Sequence, residues 1–179
     1  MSVLVTILIV IASIIALILL IALFTKKEYS ILKETIINRP RQDVFNYIKY
    51  VKNQDYYSVW VMIDPNMKRE FKGIDGTVGF VSAWDSTNKR AGKGEQEIVK
   101  VTDGERLDMQ IHFIKPFEGL ADAYMTTENV AANQTKVKWG FDSKMAYPMN
   151  IMLLFMNMDK LVGKDLETGL INLKTILEK

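Results

Sequence analysis

"GIDGTVGFVSAW", residues 73–84, places glycines at 73, 76 and 79. The fold turns on whether this stretch cradles a phosphate or closes a hairpin. A dinucleotide fingerprint needs G-x-G-x-x-G between a strand and the start of a helix. Here the spacing is G-x-x-G-x-x-G, and the residues that follow alternate, with Val78, Phe80, Ser82 and Trp84 on one side. Alternation of this kind is strand periodicity, and no helix N-terminus is left to hold an anion. The stretch reads as a hairpin turn, with Asp75-Gly76 as its signal and Gly76 at positive φ.

The alternation continues downstream. In "RLDMQIHFI", 106–114, Leu107, Met109, Ile111 and Phe113 share one face, and Asp108, Gln110 and His112 the other. In "TKVKWGFD", 135–142, Val137, Trp139 and Phe141 alternate with Lys136, Lys138 and Gly140. Turn-rich segments such as "DSTNKRAGKG", "DGE", "KPFEG" and "AANQ" separate these runs. Six strands joined as hairpins predict an antiparallel sheet. Upstream, "EYSILKETIIN", 28–38, reads as a further strand. Pro40 suits the first position of a helix whose apolar stripe is Val44, Phe45, Ile48 and Val51. A short helix or loop spans 53–65. From Met149 to Lys179 the apolar residues step by three and four, predicting one amphipathic helix of about 30 residues and about 45 Å. Gly163 and Gly169 fall inside it, at a cost of about 1 kcal/mol each relative to alanine. A glycine there either lets helix and sheet approach closely or marks a local bend.

The N-terminus differs in kind. "VLVTILIVIASIIALILLIALF", 3–24, has only Thr6 and Ser13 as polar residues. Its helix would span about 33 Å, matching a hydrocarbon core of about 30 Å. No basic segment precedes it and no small-x-small cleavage site follows, so a single-pass anchor fits better than a signal peptide. Lys26, Lys27, Lys33 and Arg39 follow an uncharged start, which places the C-terminal domain in the cytoplasm at the cell membrane. The expected division is an anchor over 1–26 and one domain over 27–179.

The 179 residues include no cysteine and one histidine, with a formal net charge of +2. Disulfides and thiolate metal sites are excluded, and no basic stripe suggests nucleic acid. No metal or cofactor is expected.

The order of elements resembles the helix-grip fold of the START-like (SRPBCC) superfamily, an α+β arrangement in which a curved antiparallel sheet of about seven strands wraps a long C-terminal helix. "RQDVFNYI", "DPNMKREFKGIDGTVGFVSAW", "GKGEQEI", "FIKPFEGLADAY" and "PMNIMLLFMNMDKLVGKDLETGLINLK" are similar to its polyketide cyclase/dehydrase-type branch. The resemblance runs over 28–179. It implies an internal cavity between sheet and helix.

The expected cavity wall is Trp60, Trp84, Met109, Ile111, Trp139, Phe141, Met152 and Phe155, with Gln96 as a polar handle. In "GEQEIVKV", 94–101, two registers are open. Either Gln96 and Ile98 face inward, or Val99 and Val101 do, together with Glu95 and Glu97. The first avoids burying two unpaired charges. His112 falls on the outer face, and no catalytic set is evident. The functional expectation is membrane-tethered binding of a hydrophobic small molecule or lipid. A cyclase/dehydrase-like enzyme acting on an aromatic or polyketide-like substrate is the alternative implied by the resemblance. A membrane-anchored protein adaptor is a third reading.

Overall fold

The computed structural model describes residues 2–179. Helix α1, Val3–Phe24, is apolar on every face, long enough to cross a membrane, and almost wholly exposed along its length. The Ser13 hydroxyl donates to the Ile9 carbonyl at 2.8 Å, one turn back, so it leaves no polar group unpaired. Strand β1, Glu28–Ile37, follows after three residues.

Next come α2, Arg41–Ile48, a 3₁₀ turn over Val51–Tyr56, and the single-turn α3, Val59–Met62. Pro40 is the cap of α2 rather than its first residue. Val44, Phe45, Ile48 and Val51 are all buried, as their spacing predicts. The sheet is completed by β2 (Lys68–Lys72), β3 (Val81–Asp85), β4 (Lys93–Thr102), β5 (Arg106–Lys115), β6 (Gly119–Ala131) and β7 (Gln134–Lys144). Its order is β1-β7-β6-β5-β4-β3-β2, antiparallel throughout.

The glycine stretch is the loop between β2 and β3. Gly73, Gly76 and Gly79 all take positive φ. Strand β3 begins later than the alternation suggests, at Val81, and Val78 is exposed in the loop. Asp75 is anchored inward: its carboxylate accepts from the backbone N–H of Val51 at 2.8 Å and Lys52 at 3.0 Å. A Cβ on Gly76 would lie 3.0 Å from the Tyr50 ring, in a conformation that L side chains rarely adopt. Gly76→Val should cost more than about 1 kcal/mol, read as a lowered midpoint in thermal melting.

Strand β4 resolves its two registers with a bulge. Pairing to β5 shifts between Ile98 and Lys100, leaving Val99 out of step and exposed. Before the bulge Gln96 and Ile98 face inward, and after it Val101 does. Glu95 and Glu97 stay on the exposed face. One extra residue in a strand flips the faces beyond it.

The C-terminal helix is shorter than the periodicity predicts. Met149–Leu154 forms a separate 3₁₀ turn, and the helix proper starts near Met158. It opens with a π-helical turn, Asp159–Gly163, and continues as α4, Lys164–Leu177. Asn157 marks the break: its side chain accepts from the Lys160 backbone N–H at 3.0 Å, a helix-capping bond. The 3₁₀ turn docks on α1 instead. Asn150 is fully buried and donates to the carbonyls of Ala22 at 2.7 Å and Thr25 at 2.9 Å. These are orphan acceptors at the C-terminus of α1.

Candidate functional site

A cavity of about 280 Å³ lies between the concave face of the sheet and the helical elements. The strands supply its wall through inward residues: Trp84 from β3, Gln96 from β4, Ile111 and Phe113 from β5, Trp139 and Phe141 from β7. Trp60 comes from α3, Val162 from the π-helical turn and Leu166 from α4. The aromatic rings brace one another edge-on: Trp60 with Trp139 at 6.3 Å, and Trp84 with Phe113 at 6.4 Å between centroids. The Trp84 indole N–H donates to the Ala91 carbonyl at 2.9 Å, which fixes the ring beneath the β3–β4 loop. A larger hollow of about 520 Å³ is more open and runs past Asp122 and Asp142. Its lining includes the charged Glu28, Asp122, Asp142 and Lys144, so it does not suit an apolar ligand.

No family model matches the chain, and no curated protein matches it. Solved structures do. Norcoclaurine synthase from Thalictrum flavum, in complex with dopamine and hydroxybenzaldehyde, is 11% identical; the match covers 87% of this chain and 88% of that one, with a TM-score of 0.60. The di-domain ARO/CYC StfQ from the steffimycin biosynthetic pathway is 6% identical over 85% of this chain and 51% of its own, with a TM-score of 0.64. The Aha1 dimer from Colwellia psychrerythraea is 16% identical over 84% and 96%, with a TM-score of 0.57. The fold is the helix grip. At these identities the likeness speaks for the fold alone.

Within this helix grip, Trp60, Trp84, Gln96, Ile111, Trp139 and Phe141 are brought together around the cavity. Met109 lies just behind the wall, fully buried, with its sulfur 3.1 Å from the Gln96 amide nitrogen. Met152 and Phe155 do not belong to the wall. They sit in the segment that leaves the helix to meet α1, and Phe155 is 84% exposed. His112 is on the outer face, between Glu95 at 3.7 Å and Glu118 at 3.6 Å.

The wall also contains residues that sequence reasoning missed: Gln54, Ser58, Arg69, Ser82 and Arg90. Arg69 donates to Asp55 and to the Ser82 hydroxyl, each at 2.9 Å. Arg90 bridges from the β3–β4 loop to Asp165 on α4 at 2.9 Å. Outside the lining, the Ser86 hydroxyl donates to Asp64 at 2.5 Å and holds its carboxyl below the usual range.

Tyr57 lies beneath the wall and is fully buried. Its hydroxyl donates only to the Met125 sulfur, at 3.6 Å, and its ring meets Trp139 edge-on at 5.6 Å. Burial pushes the phenol well above its ordinary value, and Tyr47 and Asp75 add to the rise. Because the folded state keeps a proton that the unfolded state loses, the stabilisation is complete below about pH 10 and falls as pH rises beyond it. Tyr57→Phe should therefore melt close to wild type at pH 7 and lose less stability between pH 9 and pH 11. Parallel melting curves across that range would test this.

Proposed function

We propose that the protein is a membrane-tethered binder of a small hydrophobic molecule held in the cavity between sheet and helix. One observation carries the choice of binding over catalysis: among the described residues, the wall holds no His, Cys, Lys, Asp or Glu. Acid–base work draws mostly on such groups, and the hydroxyls the wall does hold, on Tyr29, Ser58 and Ser82, have none of them in the wall to activate them as nucleophiles. What the wall offers instead is aromatic surface and fixed polar contacts, the usual make-up of a binding site.

The size narrows the ligand. A volume of about 280 Å³ lies just under the usual range of about 300–1,000 Å³ for small-molecule sites, and suits one substituted aromatic ring. The tether, read as spanning the membrane through Val3–Phe24, keeps the cavity close to the bilayer and raises its encounter with membrane-soluble ligands. The short link from α1 to β1 and the Asn150 bonds to the end of α1 favour a fixed rather than swinging attachment.

The test is binding of 3-phenylpropanol to the full chain in lipid nanodiscs, read by tryptophan emission and by calorimetry. We expect a dissociation constant of about 10 μM, with quenching, consistent with efficient small ligands. Trp139→Ala should weaken binding at least tenfold. Lys138→Ala should not, because Lys138 faces outward and pairs with Glu128 at 2.6 Å. Absence of binding up to millimolar probe, with the wild-type melting curve intact, would reject the reading. The tether predicts a second result: a phosphatase fused to the C-terminus, active only outside the cytoplasm, should be silent.

A further inference from the structure

The polar groups in the cavity wall are short of partners. Gln96, 9% exposed, and Gln54, 6% exposed, both direct their amide N–H groups at a single atom, the Met109 sulfur, at 3.1 and 3.7 Å. A thioether is a weak acceptor. The buried Ser58 hydroxyl makes no hydrogen bond among the described residues, and the Ser82 hydroxyl accepts from Arg69 without donating. Arg69 uses its two terminal nitrogens on Asp55 and Ser82, yet its Nε–H is buried with no partner. Buried donors are nearly always satisfied in folded proteins, and an orphaned group asks for an explanation.

Strand register explains why these groups meet. Ser82 on β3 lies opposite Gln96 on β4, and Arg69 on β2 lies opposite Trp84, two residues from Ser82. All face the concave side of the sheet. The charge balance there is one-sided. Two arginines line the cavity and no carboxylate does, because Asp55 and Asp165 hold them from beyond the wall. The cavity is thus an aromatic box with a donor-rich patch, its two arginines each paired from behind, and few acceptors to meet those donors.

We propose that the ligand is a small aromatic carboxylic acid. Its ring lies among Trp84, Phe113, Trp139 and Phe141, and its carboxylate accepts from the Gln96 amide and the Ser58 and Ser82 hydroxyls, with the Arg69 guanidinium behind Ser82. A carboxylate supplies acceptors only, and the charged donor on Ser82 makes that hydroxyl a better donor in turn. This assignment rests on the cavity being a binding site, and the experiment separates the two claims.

The probes are 3-phenylpropanoate and 3-phenylpropanol, which share ring and chain and differ in the head group. Both are titrated at pH 7.5 into the full chain in nanodiscs of zwitterionic lipid. The acid should bind at least tenfold more tightly than the alcohol. Arg69→Met, which keeps the bulk and removes the charge, should reduce that preference to less than twofold, read as the ratio of the two affinities measured on the same variant. Arg69→Lys should recover only part of the preference, since it lacks the fork. Gln96→Leu gives a second reading should Arg69→Met melt abnormally, and it should weaken the acid at least threefold more than the alcohol. If the alcohol binds as tightly as the acid, or the preference survives both Arg69→Met and Gln96→Leu, the assignment is wrong while the cavity remains a binding site. If neither probe binds, the binding reading falls and this one with it.

Discussion

Gly169→Leu should lower the melting temperature of the protein by about 10 °C. A Cβ at this position would sit 2.8 Å from the Trp139 ring and 3.3 Å from the Tyr57 carbonyl oxygen. Neither can move aside easily. Trp139 is held edge-on by Tyr57 and Trp60, and Tyr57 is fully buried. The helix cannot lift either. Asp159 pairs with Lys33 at 2.8 Å near its start, and near its end Lys174 donates to the Ile36 carbonyl at 2.7 Å. Leu166, Leu170 and Leu173 are buried on the same face. Overpacking of this kind costs about 3 kcal/mol or more, and each kcal/mol shifts the melting point of a chain this size by roughly 2–4 °C. Gly169→Ala should be much milder, because the gain of about 1 kcal/mol in helix propensity offsets part of the overlap. Wild-type melting of the leucine variant would mean that the helix does not lie on Trp139.

That close approach was one of two readings of a glycine inside an apolar helical stripe, the other being a local bend, and the Trp139 contact decides between them. The turn at Asp75-Gly76 was legible too, since the spacing ruled out a phosphate loop, although the strand resumes only at Val81. The start of the last helix was not legible from spacing. Residues 149–157 continue the apolar steps of the helix but serve a different surface, and periodicity does not say which neighbour an apolar residue meets. Asn157 was the available signal. Asparagine suits a helix cap, and it stands directly before the acidic first turn at Asp159. Reading it as a stop would have kept Met152 and Phe155 out of the expected wall. The ambiguity at 94–101 had a physical origin too, because the bulge at Val99 makes each register correct on one side of it.

The aromatic part of the wall followed from alternation, which fixes direction once one residue of a strand is placed. The polar patch did not. Arg69 occurs in "KREFK", where alternation pairs it with Phe71, yet Phe71 is 42% exposed and gives no sign of an inward face. Arginine is rarely buried without a partner. Its partner Asp55 is fourteen residues earlier, on a 3₁₀ turn, and only the fold brings them to 2.9 Å. Ser82 was visible, since it shares a face with Phe80 and Trp84. A serine on an apolar strand face carries little signal until a donor is found beside it.

The second large effect concerns α1. Ile11→Arg combined with Ile15→Arg should move the protein from the membrane pellet to the supernatant after an alkaline carbonate wash. Both positions lie near the middle of Val3–Phe24, where each arginine costs about 2.5–3.5 kcal/mol and forfeits roughly 0.5 kcal/mol of favourable isoleucine insertion. Together that is about 7 kcal/mol, a shift of roughly 10⁵ in partition. The rest of the protein should survive the change. The domain's hydrogen bonds to α1 and its end, from Tyr147 to the Leu19 carbonyl and from Asn150 to those of Ala22 and Thr25, all lie at least four residues past the substitutions. The released chain should still melt cooperatively and still bind 3-phenylpropanol. Wild-type protein in the supernatant would remove the tether from the proposed function. Double-arginine protein that stays in the pellet while keeping its fold would place the membrane contact outside α1, with the exposed Leu154 and Phe155 as the first residues to substitute.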